Sequence, residues 1–162
     1  MLDKKSLTGY ATRERAAFES TLEQFVEIPS VSADPARAED VRSCAELACD
    51  TIRKFGGEAE MIETAGHPIV HGRFKSGKGD PTVTIYNHLD VQPASRETEP
   101  WKTDPFRFTK VGDRYFGRGT TDDKGPALSA LWGMRAAREA GVPVNVNVLW
   151  EREEEIGSPS FE

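Results

Sequence analysis

The chain is short of cysteine, of basic charge and of long apolar runs. Of its 162 residues two are cysteine, too few for a disulfide scaffold. Cys44 and Cys49 lie in what reads as one helix, about 140° apart around its axis and ~8 Å along it. That separation does not suit a bridge between them. No stretch approaches the ~18 consecutive apolar residues of a membrane-spanning helix. Lys and Arg number 21 against 27 Asp and Glu, for a net charge of −6. Such a balance argues against nucleic acid as a partner, because phosphate binding needs a basic surface. The opening Met1-Leu2-Asp3-Lys4-Lys5-Ser6 has no apolar segment of the secretory kind, which makes a cytoplasmic location the expectation.

What remains is a globular composition, 37% hydrophobic and 30% charged, in a length that fits one domain at most and is enough for a core. There is no internal repeat, low-complexity tract or linker. Residues 11–28 read as a helix, with Phe18, Leu22, Phe25 and Val26 on one face. After the turn Ile28-Pro29-Ser30-Val31-Ser32, a second helix spans about 35–55. Its stripe is Val41, Cys44, Ala45, Ala48, Ile52 and Phe55, and Gly56-Gly57 closes it. Strands are expected at Glu58–Glu63, Pro68–Phe74 and Thr82–His88. A hairpin follows over Phe106–Phe116, then a helix over 125–140 and a strand over Val144–Trp150. A helix between two strong strands implies a right-handed crossover. The expected fold is α/β, a mixed, largely parallel sheet flanked by helices.

Three polar clusters fall at strand or loop ends: His88-Leu89-Asp90, Asp122-Asp123-Lys124-Gly125 and Glu153-Glu154-Glu155. Ligands of open α/β sheets bind in the crevice beyond the carboxyl ends of the strands. One imidazole and several carboxylates there would make a mixed nitrogen and oxygen metal site suited to Zn²⁺, Mn²⁺ or Co²⁺. Each cluster alone has a plainer reading. A single His-X-Asp carries little information, Asp-Asp before a helix is commonly an N-cap, and a Glu run after a strand is commonly a solvated turn. Their joint placement favours the metal site.

In this order, Asn87-His88-Leu89-Asp90-Val91-Gln92-Pro93-Ala94, Gly117-Arg118-Gly119-Thr120-Thr121-Asp122-Asp123-Lys124-Gly125-Pro126 and Glu153-Glu154-Glu155-Ile156-Gly157-Ser158 closely resemble the M20 family of dinuclear zinc peptidases and deacylases. Ile28–Ser32, Gly66–Val70 and Pro100–Phe106 add to the likeness, which runs from about residue 15 to 160. Val91–Ala94 with Trp101–Phe106 is most similar to the carnosinase-like dipeptidase branch. The resemblance implies two divalent metal ions, zinc or else manganese or cobalt. It implies His88 as a ligand of one metal, Asp122 as the carboxylate bridging both, and Glu155 as a ligand of the second. Asp90 would orient His88, a role that fixes the tautomer of a ligating imidazole, and Glu154 would be the general base. The Asp122–Asp123 peptide bond would be cis. The implied reaction is hydrolysis of a dipeptide amide bond by a hydroxide bridging two zinc ions.

Full-length relatives carry one more carboxylate ligand, one more histidine ligand and an inserted lid or dimerisation domain. Residues 1–162 are therefore expected to form the N-terminal part of a catalytic domain, inactive alone, within a protein that is a homodimer when complete. The last strand of such a piece would be an exposed edge. The substrate would be a small peptide or an N-acyl amino acid, with no nucleic acid or membrane partner. Alternatives are an N-acyl-amino-acid deacylase of the acetylornithine or succinyl-diaminopimelate type, and a non-catalytic binding module of the same fold. Gly72-Arg73-Phe74-Lys75-Ser76-Gly77-Lys78-Gly79 falls short of a phosphate-binding loop: Gly79 replaces the metal-holding hydroxyl, and a strand follows where a helix is needed. Lys124 is expected on the surface at a helix end, and Arg118 in a structural salt bridge. His67 and His71 read as non-ligands, Trp101 and Phe106 as packing residues near the site mouth, and Cys44 as a small hydrophobe in the core.

Overall fold

A computed structural model describes residues 3–161. Helix α1 spans Lys4–Val26, α2 Ala38–Lys54 and α3 Lys124–Glu139. The strands are β1 (Glu58–Ile62), β2 (Ile69–Phe74), β3 (Thr82–His88), the short hairpin β4 (Thr109–Val111) and β5 (Arg114–Phe116), and β6 (Asn145–Glu151). Helix α1 starts seven residues before the expected position because Asp3 caps it, its carboxylate accepting from the Ser6 N–H at 2.8 Å. Only its C-terminal end, at Leu22, Phe25 and Val26, is buried. Hydrophobic spacing therefore marks the last turns of α1, while a polar cap fixes its beginning.

The main sheet has the order β1-β2-β6-β3. The sheet is mixed, but its parallel part is one ladder of three: β3 and β6 run parallel, whereas β1–β2 and β2–β6 are antiparallel. The parallel pair is joined by a long connection containing the hairpin and α3, as a crossover requires. Strand β6, expected at an edge, is instead an inner strand between β2 and β3. Its neighbours lie far away in sequence, so periodicity could not show this. Segment 75–81, after β2, is a loop with no helix, which disposes of the phosphate-loop alternative.

Alternation sends Val70 and Phe74 of β2, and Val146, Val148 and Trp150 of β6, to one face. There they meet Cys44, Ala45, Ala48 and Ile52 of α2, and Leu128, Leu131 and Trp132 of α3, in one core. Burying each large apolar side chain contributes roughly 1.5–3 kcal/mol. Both cysteines are free and buried. Among the described residues no helix is long and apolar enough to cross a membrane. This one-sided layering leaves the carboxyl ends of β3 and β6 side by side, with His88 opposite Glu151.

Candidate metal centre

His88 is the last residue of β3, Asp122 ends the loop that leads into α3, and Glu155 sits in a single 3-10 turn, Glu154–Ile156, just after β6. Each offers one ligand atom, and these three atoms lie within 4.8 Å of one another. The Nε2 atom of His88 is 2.9 Å from Asp122 Oδ1 and 3.7 Å from Glu154 Oε2. The His88 side chain is 8% exposed, whereas Asp122 is 71% and Glu154 46% exposed. The trio thus has a closed back and an open front.

The back is built around Asp90, which is fully buried. Its Oδ1 lies 3.4 Å from His88 Nδ1, and its main-chain carbonyl lies 3.2 Å from the same nitrogen. Its Oδ2 accepts the Ser32 hydroxyl at 2.6 Å and the Glu155 N–H at 3.1 Å. Gln92 Nε2 donates to Glu155 Oε2 at 2.8 Å. Burial by itself would lower the His88 pKa, but the Asp90, Asp122 and Glu154 carboxylates outweigh it and raise it to about 9. Burial by itself would raise the Asp90 pKa, but its bonds to His88, Ser32 and the Glu155 N–H hold it below the ordinary carboxylate value.

The loop before α3 adopts a conformation that few sequences permit. Gly119 has φ +87°, and a side chain on Gly125 would run into the Thr120 carbonyl. The Asp122–Asp123 peptide bond is cis. Asp123 occupies the N-cap position of α3 but caps nothing with its side chain. Its Oδ2 instead accepts from Asn87 Nδ2 at 2.8 Å and from the His88 N–H at 3.3 Å, tying the loop to the end of β3.

Lys124 is not on the surface. It is fully buried, and its Nζ donates to the Phe25 and Ile28 carbonyls, each at 2.8 Å. Position in the sequence suggests an exposed helix start, but the end of α1 folds over this residue and supplies acceptors. Arg118 lies 3.8 Å from Glu99, donates to the Pro93 carbonyl at 3.3 Å and stacks over Trp101 at 5.3 Å. Trp101, Arg118 and Asp122 line one shallow cleft that Phe106 does not reach. His67 Nε2 faces the Ser32 carbonyl at 3.3 Å, and His71 faces Glu60 at 3.2 Å. Neither belongs to the trio. Sequence reasoning assigned no role to Ser32 or Gln92, and gave Asp123 only the plainer reading of an N-cap, which its side chain does not fulfil. Ser32 and Gln92 stand inside quoted motifs, but only the folded chain brings them against Asp90 and Glu155.

Fold and site together define a mixed α/β domain with imidazole and carboxylate groups converging beyond the ends of adjacent parallel strands, a donor set that could hold a divalent cation. Residues 84–161, which contain every member of that cluster, match peptidase family M20/M25/M40. The chain is similar to members of this family over nearly all of its own length. It is 38% identical to the Cys-Gly metallodipeptidase dug1 of Schizosaccharomyces pombe, over 93% of this chain and 34% of that protein. It is 33% identical to the Beta-Ala-His dipeptidase of Rattus norvegicus, over 98% of this chain and 35% of that protein. Among solved structures it is similar to human carnosine dipeptidase 1, with TM-score 0.85 and 32% identity over 94% of this chain and 35% of that one. It is also similar to the di-peptidase Dug1p of Saccharomyces cerevisiae, with TM-score 0.87 and 30% identity over 96% of this chain and 36% of that one. The chain therefore spans about a third of the length of the relatives it matches.

Proposed function

We propose that this chain carries half of a two-metal centre that hydrolyses the amide bond of a dipeptide. The observation that carries the reading is the convergence of His88, Asp122 and Glu155 within 4.8 Å, with Glu154 beside them. The donor set fits a divalent cation of the zinc type, with manganese or cobalt as alternatives. The neighbours of His88 fit as well. With Nδ1 protonated toward Asp90, Nε2 is left as the free ligand nitrogen on the side of Asp122.

His88 would hold one cation, Glu155 the other, and Asp122 both. When bound, two such cations polarise a substrate carbonyl and make an attacking water acidic enough to react near neutral pH. Glu154, half exposed at the front, takes the proton of that water and returns it to the leaving amine nitrogen. Asp90 takes no proton; it keeps the His88 ring in one tautomer and one orientation. The cleft between Trp101 and Asp122 gives the substrate access from the open side.

Each cation would receive two ligands from this chain, whereas catalytic zinc takes about three protein ligands. Residues 1–162 are accordingly the N-terminal part of a larger catalytic domain, inactive alone, and the intact protein is the active unit. The dipeptide class rests on the relatives, which are named Cys-Gly and Beta-Ala-His dipeptidases. The test is hydrolysis by the intact protein of Cys-Gly and β-Ala-His against a set of N-acetyl amino acids, before and after chelation. The dipeptides should be cleaved, activity should vanish with chelator, and zinc or manganese should restore it. Activity that survives thorough chelation would overturn the metal reading, and cleavage of N-acetyl amino acids alone would overturn the dipeptide reading.

A further inference from the structure

We propose that Ser32 is a positioning residue of the metal centre: its hydroxyl fixes the Asp90 carboxylate, and Asp90 in turn sets His88 and Glu155 relative to each other. This inference rests on the metal reading above. The two ligands come from different elements, His88 from the end of β3 and Glu155 from the turn after β6. Besides the pairing of β3 with β6 and the Gln92 amide, which donates to Glu155 Oε2 at 2.8 Å, the Asp90 side chain links them. Its Oδ1 lies behind the His88 ring at 3.4 Å, and its Oδ2 holds the main-chain N–H of Glu155 at 3.1 Å. Rotation of the carboxylate about its last side-chain torsion, which is intrinsically soft, would break its bond to the Glu155 N–H and carry Oδ1 away from His88, leaving the ring only the Asp90 main-chain carbonyl, 3.2 Å from Nδ1. The Ser32 hydroxyl, 2.6 Å from Oδ2, is the short, charge-assisted bond that locks it.

The remaining contacts of the turn make Ser32 a fixed support. The Ser30 hydroxyl donates to the Leu89 carbonyl at 2.7 Å, and the Val91 N–H donates to the Ser30 carbonyl at 3.0 Å. Residues 30–32 therefore run bound alongside residues 89–91, one on each side of Asp90. The Ile28 carbonyl receives the buried Lys124 ammonium at 2.8 Å, and the Ser32 carbonyl faces His67 at 3.3 Å. The Ile28–Ser32 motif is thus anchored by four contacts from three parts of the chain, and Ser32 is the side chain it directs at Asp90. The Asp90 carboxylate lies entirely out of solvent, so no bulk water can take the place of the hydroxyl without rearrangement.

A merely structural serine would also satisfy a buried carboxylate, and the two roles separate in the metal rather than in the fold. The intact protein, stripped with chelator, is titrated with Co²⁺, following the visible d–d bands and the heat of binding. Its metal-free melting temperature is measured in parallel. Ser32→Ala should weaken Co²⁺ binding at least tenfold, within the 10–100-fold range typical of groups that orient metal ligands, and should change the band pattern. Ser32→Thr, which keeps the hydroxyl, should restore both. Thr51→Val removes another buried hydroxyl, one that bonds the Leu47 carbonyl inside α2 at 2.7 Å. It should leave Co²⁺ affinity unchanged whatever it does to the melting temperature. Should Ser32→Ala fail to fold, Ser32→Cys, which weakens the donor at similar volume, is read in the same way. Wild-type affinity and spectrum in the Ser32 variant would overturn the inference, as would an equal loss in Thr51→Val. Wild-type protein that binds no Co²⁺, or that binds it no better than His88→Ala, would bring down the metal reading itself.

Discussion

Behind the His88 ring stands Asp90, fully buried, with one oxygen saturated by Ser32 and Glu155. In front of it stand Asp122 and Glu154, 71% and 46% exposed. The back is wired from three separated parts of the chain and turned away from solvent. The front carries concentrated negative charge facing outward. On the function proposed above, geometry is fixed where water is excluded, and the reacting groups stand where water, cation and substrate would enter. Substitutions at the back should therefore act on metal affinity, and substitution of Glu154, the front residue that is not a ligand, on turnover.

The largest effect should come from the front. Glu154→Gln in the intact protein should lower kcat by about 10²–10⁴-fold and leave bound metal unchanged when both are measured on the same preparation. Next is a pH effect in the metal-free protein. The His88 pKa is raised from its ordinary 6.5 to about 9 in the fold, so the charged ring adds stability, about 3 kcal/mol. That contribution is fully present below pH ~6.5 and is lost as pH rises through about 9. Urea unfolding of chelated protein across this window should show the decline, and His88→Ala should abolish it. Metal loading should release a proton below pH 9, because the ligand must be neutral.

At the back, Asp90→Asn should weaken metal binding by about 10–100-fold, read by competition with a chromogenic chelator. The smallest effect should come from a histidine outside both regions. His71→Ala removes an exposed pair with Glu60 on the β1–β2 ladder and should change stability by less than about 1 kcal/mol. Its metal affinity should equal that of the wild type. A back variant that lost turnover while keeping its metal would blur the division between the two sides.

Much of this was legible in the sequence. The α2 stripe of Val41, Cys44, Ala45, Ala48 and Ile52 is buried as its spacing indicates. The three polar clusters do fall at the same end of the sheet, and the structure draws one member of each into the trio. What was not legible depends on partners distant in sequence. The inner place of β6 depends on two ladders, and the burial of Lys124 depends on the end of α1. The bond from Ser32 to Asp90 joins residues 58 positions apart. Periodicity reports which face of an element is apolar, and says nothing of which remote polar group will meet it.

The central claim is that His88, Asp122 and Glu155 hold metal together. Anomalous X-ray diffraction from crystals of the intact protein grown with Zn²⁺ tests it most directly. The account predicts two peaks on either side of Asp122, one within bonding distance of His88 Nε2 and the other of Glu155. Bound zinc found only elsewhere, with no anomalous density at these three residues, would contradict it.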